Sequence, residues 1–165
     1  MSFQLSPELD GNKVFLVNSS LLEKRLDAEY YQPYHYKDLQ HLEQSPYNLK
    51  KLDHVCSRIV DGPFGSAIKA SDYVDNGVPF IRVADVTRGE GTIRTDDMIF
   101  ISKEAHQKIS RSKVSPNDVV IAKTGATMGA ASLVPQEIPD ANIRGDLGAL
   151  TVITEQCLPK YLITY

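Results

Sequence analysis

The sequence predicts an α+β protein: a twisted sheet of mixed or largely antiparallel strands, flanked by short helices. Three observations carry this. Short apolar runs such as Val78-Pro79-Phe80-Ile81-Arg82-Val83 and Met98-Ile99-Phe100-Ile101 are set apart by turn-forming sequences. Val119-Val120-Ile121-Ala122 and Ala130-Ala131-Ser132-Leu133-Val134, joined by a glycine-containing loop, read as a β-hairpin. Helical signals are short: Pro33 to about Gln44, and a stretch over about 103–110 that Ser102 can cap.

Taken in order, residues 1–20 read as an extended lead-in, in which Val14-Phe15-Leu16-Val17 can add a short strand. Leu21 to Leu26 offers a helical turn capped by Ser19 or Ser20. Tyr30, Tyr31 and Tyr34 form an aromatic group, read as a strap for the N-terminal arm in preference to base stacking. Pro33 suits a first helical turn, and Ser45-Pro46 ends that helix because the residue before proline is pushed out of the helical region. His35 and His41 have no ligand partner at i, i+4 and read as surface residues.

The main body starts near Leu49. Leu49, Leu52, Val55, Cys56 and Ile59 recur at roughly helical spacing after a short strand at 49–51. Asn76-Gly77 marks a turn, and Pro79 sits at the beginning of its strand, where proline is tolerated. Asp85 to Asp97 is a polar loop, and Val114-Ser115-Pro116-Asn117-Asp118 a turn. Ala141-Asn142-Ile143 and Leu147 to Ile153 are strands around Arg144-Gly145-Asp146. Pro159 opens a helix that begins without ending, as in a fragment of a longer protein. The expected division is an arm and helix over 1–48 packed on the domain, a main domain over 49–158 and a helix start over 159–165.

A chain of 165 residues is long enough for one sizeable core. No apolar run approaches the roughly 20 residues of a membrane span, and the N-terminus lacks the basic and apolar regions of a secretory signal. Cys56 and Cys157 have no metal-ligand spacing, and a reducing cytoplasm fits them. The net charge of −3 speaks against phosphate binding, but the segment 103–123 holds Lys103, Lys108, Arg111, Lys113 and Lys123 against Glu104 and Asp118. A solvated face explains that segment equally well.

Two loops stand out. Asp61-Gly62-Pro63-Phe64-Gly65-Ser66-Ala67-Ile68-Lys69 brackets a proline and an aromatic between glycines, and Phe64 has little reason to be buried there. Lys123-Thr124-Gly125-Ala126-Thr127-Met128-Gly129 has similar character. Turn geometry alone accounts for both; so does a contact surface presented by the scaffold. Catalytic patterns are missing. The second loop lacks the lysine order of a phosphate-binding loop and leads into a strand. No serine sits in G-x-S-x-G, the histidines lack a nucleophile, and Asp140, Glu155 and Lys160 have nuclease residue types without convincing spacing. No cofactor and no metal site is expected.

Gly62-Pro63-Phe64-Gly65-Ser66, then Lys69, Asp72-Tyr73 and Gly77-Val78-Pro79-Phe80-Ile81-Arg82, resembles the opening of a target-recognition domain from the DNA specificity subunit of type I restriction-modification systems. The resemblance continues through Ile101-Ser102-Lys103-Glu104, Val114 to Ile121, the loop 123–129 and Pro159-Lys160-Tyr161-Leu162, covering about residues 49–165. Arg25 to Pro33 is similar to the lead-in of such subunits. Asn117 stands where the family often has glycine, and asparagine also tolerates the left-handed conformation. The resemblance implies a non-catalytic cytoplasmic protein that reads one half of a split double-stranded DNA target. It implies methyltransferase and restriction subunits as partners, with catalysis in those subunits, and long helices of which residues 159–165 begin one. Full subunits carry two such domains, so assembly and self-association stay open.

Under that reading the loops have suitable chemistry. Lys69, Arg82 and Lys123 can serve phosphate or guanine, Ser66, Thr124 and Thr127 can hydrogen-bond either, and Gly62, Pro63, Phe64, Gly65, Gly125 and Gly129 shape the loops. Arg88 and Arg94 can take guanine bidentately, and Glu90 can accept from cytosine. Arg144 is a weaker candidate. An ordinary exposed hairpin remains an equal account of 87–94. Two alternatives stay open: the same domain in a type II restriction-methyltransferase, or a protein-interaction module using Tyr30, Tyr31, Tyr34 and Phe64.

Overall fold

The computed structural model describes residues 4–23, 26–64, 67–86 and 91–164. The chain forms two compact units, 1–50 and 51–165. In the first, Asn18 accepts from the Ser20 N–H and caps a 3-10 turn at Ser19–Leu21. Helix α1 runs Pro33–Glu43, with proline in its first turn as the sequence predicts. Tyr31 is buried; its ring meets Tyr30 edge-on at 5.0 Å, and its hydroxyl accepts from the Glu23 N–H at 2.8 Å. The strand expected at Val14–Val17 does not form: the segment is without regular structure, and Val14 and Leu16 are exposed.

Among its described residues the second unit holds nine strands in two sheets, where the sequence suggested one. An antiparallel sheet has the order β1 (Cys56–Asp61), β9 (Leu147–Val152), β6 (Val119–Ala122), β7 (Ala131–Leu133). A mixed sheet has the order β2 (Tyr73–Val74), β4 (Phe100–Ile101), β3 (Val78–Ile81), β8 (Ala141–Ile143), β5 (Lys113–Val114), with β3 and β8 parallel. The apolar residues at 49–59 are not one helix. Only Leu52–Val55 is helical (α2), and β1 follows directly, leaving Ile59 exposed. The period was misread because four apolar positions near a helix–strand junction fit either repeat.

Strand alternation builds the core. Val120 and Ala122 of β6, Leu147 and Ala149 of β9, Ile81 of β3 and Ile143 of β8 share one cluster between the sheets. The intervening Val119, Ile121 and Leu150 face a second cluster with Leu162 and Ile163 of helix α4 (Pro159–Thr164). Phe80 of β3 and Ile101 of β4 pack on Ala105 and Ile109, from helix α3 (Lys103–Lys108) and its end. β6 is thus apolar on both faces because both are covered. Ser102 caps α3 by accepting from the Ala105 N–H at 3.1 Å, as the sequence predicts. Asn117 adopts φ 70°, the left-handed geometry expected of its turn.

A buried polar network ties α3 to β8. Asn142 donates to the Ile109 carbonyl and to Ser112, while its amide oxygen meets His106 Nδ1. His106 Nε2 lies 3.0 Å from Asp140, which Lys113 also reaches at 3.1 Å. His106 read in sequence as a histidine without a partner; in the fold it supports a strand.

Candidate nucleic-acid interface

The first loop singled out in the sequence crosses the β8–β9 turn at residues 144–146, and the contact is made by backbone. A Cβ built on Gly62 would stand 1.9 Å from the Arg144 carbonyl oxygen, and one on Gly145 would stand 2.4 Å from that of Pro63. Only glycine at both positions lets the start of the first loop cross the β8–β9 turn this closely. The Gly62 N–H donates to the Leu147 carbonyl at 3.0 Å, the Arg144 N–H to Ile81 at 3.0 Å and the Lys123 N–H to Asp146 at 2.9 Å. The ends of β1, β3, β6 and β8 are thereby gathered at one place.

Over this crossing stands Phe64, 69% exposed. Lys123 Nζ lies 4.8 Å from its ring centroid and 2.6 Å from Asp61 Oδ1. Lys123 therefore links the loops, and any phosphate it takes must compete with Asp61. The second loop closes through the Gly129 N–H on the Ala122 carbonyl at 2.8 Å, with Gly125 and Gly129 both at φ 84°. Thr124 and Thr127 are exposed on it. A cleft of about 420 Å³ runs beside the ridge, lined by Pro63, Phe64, Tyr73, Thr124, Arg144 and Asp146 among others. Arg144 is exposed, 3.9 Å from Asp146.

Of the other sequence candidates, Arg82, Arg94 and Lys69 do not line this cleft. Arg82 clamps Asp85: its Nε and Nη2 donate to the two carboxylate oxygens at 3.1 and 2.8 Å, and Nη2 also donates to the Asp97 carbonyl at 2.7 Å. Asp85 is buried, and its hydrogen bond is the main cause of a guanidinium pKa raised above its usual value. The paired donors of Arg82 are thus already occupied. Arg94 is exposed and gives its backbone N–H to the Asp85 carbonyl at 2.9 Å. Lys69 is exposed, its N–H held by Asp72. Ser66, Gly65, Arg88 and Glu90 lie outside the described residues. Sequence reasoning missed Arg58, whose Nη2 donates to the Arg111 carbonyl at 2.7 Å; nothing local in β1 marks that long-range contact.

No family model matches the sequence, and no curated protein is significantly similar to it. A solved HsdS subunit from Thermoanaerobacter tengcongensis superposes with a TM-score of 0.50 at 21% identity, over 82% of this chain and 35% of that one. The fold is that of part of an HsdS subunit. A second structure, from work on complex assembly and conformational transition of the type I R-M system, gives a TM-score of 0.49 at 21% identity, over 81% of this chain and 35% of that one. The chain thus spans about a third of the length of the HsdS subunit it resembles. Among the described residues, no helix is long and apolar enough to cross a membrane.

Proposed function

We propose that this chain is a DNA-recognition module of a type I specificity subunit, reading one half of a bipartite duplex target. In this reading it performs no catalysis, and methyltransferase and restriction subunits supply the chemistry. The observation that carries the proposal is the glycine-to-glycine crossing that brings the Gly62–Phe64 ridge, Lys123, Thr124 and Arg144 to one exposed surface. The HsdS-like fold supports it. Such a surface has the parts that duplex recognition needs: cations and hydroxyls for phosphates, and side chains with paired donors for base edges. Arg144 is the cleft's candidate base reader, Thr124 and Thr127 its adaptable hydrogen-bonders, and Lys123 its phosphate ligand.

The test is selection. The purified chain is incubated at low salt with random duplexes, and the bound fraction is sequenced. Enrichment of one short motif is expected. Capture that is salt-sensitive but unenriched, both for the chain and for its complex with a methyltransferase subunit, would refute sequence reading. Absence of capture at every salt concentration would refute DNA binding and favour the protein-interaction alternative.

A further inference from the structure

The ridge has a second flank. On the side away from Arg144, between the ridge and α3, lies a groove of about 550 Å³ lined by Ile59, Asp61, Phe64, Lys108, Ile109 and Arg111 among others. Among the described residues, the one acid that lines it is Asp61, already paired with Lys123. Its lining cations are Lys108 and Arg111, and Arg58 joins them through its hydrogen bond to the Arg111 carbonyl. Lys108 reaches across to the Ala67 carbonyl at 2.9 Å. The Arg111 side chain has no partner among the described residues. Arg58 and Lys108 hold backbone carbonyls, but among the described residues no acid offsets the charge of the three cations, which repel one another. In a chain of net charge −3 this concentration is local.

We infer that this groove is a phosphate track: Arg58, Lys108 and Arg111 hold the backbone of one DNA strand while Arg144, in the cleft across the ridge, serves the other. The inference rests on the DNA-binding reading above. The geometry that favours it is the two-sided arrangement. Pro63 and Phe64 of the ridge line both the cleft and the groove, with Arg144 lining the first and Lys108 and Arg111 the second. A duplex presents two phosphate rows separated by a major groove about 12 Å wide, which an inserted ridge can enter.

Salt dependence reads the phosphate count. Each neutralised phosphate contact lowers the slope of log affinity against log salt by about 0.9. Duplex affinity is measured for the full chain between about 50 and 200 mM salt, using the selected motif and an unrelated duplex. The double variant Lys108→Gln, Arg111→Gln is expected to lose about 1.8 from the slope on both duplexes. Its motif preference is expected to be unchanged. Lys103→Gln, on the same helix but outside the groove, is expected to leave the slope as it was. If the double variant folds poorly, Arg111→Gln alone removes a side chain without a partner and is expected to lose about 0.9. Salt-sensitive binding by the parent chain with an unchanged slope in the groove variants would overturn the track and leave the function standing. An equal loss in Lys103→Gln would overturn it as a general charge effect. No binding by the parent chain would overturn both.

Discussion

A methyl group on residue 62 would have to share space with the peptide of residue 144. Its Cβ would lie 1.9 Å from the Arg144 carbonyl oxygen, 2.3 Å from the carbonyl carbon and 2.8 Å from the Gly145 nitrogen, whereas ordinary contact begins near 3.4 Å. All three atoms are backbone, so no rotamer change relieves the clash. Gly62→Ala must therefore part the β1 end from the β8–β9 turn. Overpacking of this kind costs about 1–3 kcal/mol. The same displacement strains the 3.0 Å hydrogen bond from the Gly62 N–H to Leu147, worth about 0.5–1.5 kcal/mol. Together these give an expected loss of about 2–4 kcal/mol, a large share of the roughly 5–15 kcal/mol that holds a domain folded. Urea unfolding measures it, with Gly11→Ala, which meets nothing within 4 Å, as the control. Gly145→Ala breaks the same crossing from the other side, 2.4 Å from the Pro63 oxygen, so the double variant should cost clearly less than the sum of the two. A Gly62→Ala protein within about 0.5 kcal/mol of the parent would refute the crossing as the organiser of the site.

Asp61→Asn releases Lys123 from its carboxylate; because Asp61 is 67% exposed the pair is worth little to stability, and the expected effect is tighter duplex binding at low salt, by up to about fivefold, read by titration. Asn142→Ala leaves the Ile109 carbonyl, Ser112 and His106 short of a buried partner, and thermal or urea unfolding should register a loss of about 2–4 kcal/mol. Arg82→Ala strands the buried Asp85 carboxylate and should destabilise by about 3–5 kcal/mol, whereas sequence preference on duplexes is expected to survive in the folded fraction. At Asn117, with φ 70°, alanine should cost about 1 kcal/mol and glycine should be tolerated, again read by unfolding.

What the sequence made legible was local. Pro33 and Ser102 marked helix starts that the structure keeps. The β6–β7 hairpin followed from two apolar runs around a glycine loop, and Asn117 took the backbone geometry its turn required. The misreadings came where partners are distant or a period is short. The chain changes sheets at several connections, among them the turn at 144–146 from β8 to β9; nothing in Arg144-Gly145-Asp146 announces that change. At 49–59 a four-residue helix abuts a strand, too short for a repeat to settle either. Arg82 looked like an available cation, although Asp85 three residues on was a visible partner for it. The two loops were expected to share a role; what joins them is Lys123, on Asp61 and Phe64, while the crossing of the first loop over the β8–β9 turn depends on glycines far apart in sequence, which no local pattern links.

The way the site is held leaves its surface side chains free to vary. The bonds that position it run between backbone groups: Gly62 to Leu147, Arg144 to Ile81, Lys123 to Asp146, Gly129 to Ala122. Backbone groups are common to all residues, so these bonds place almost no demand on the side chains at the surface. Phe64, Thr124, Thr127 and Arg144 project from that frame, exposed, and contribute little to the core beneath it. Substitutions among them can alter what is touched without unfolding what presents them, since exposed positions away from buried partners usually shift stability by about 0.5 kcal/mol or less. Gly62 and Gly145 have the opposite property: they touch no ligand in the proposed complex, yet the ridge exists only while both remain glycine. Under the proposed function, constraint on recognition and constraint on folding thus fall on different residues of one surface, built from the two loops and the β8–β9 turn.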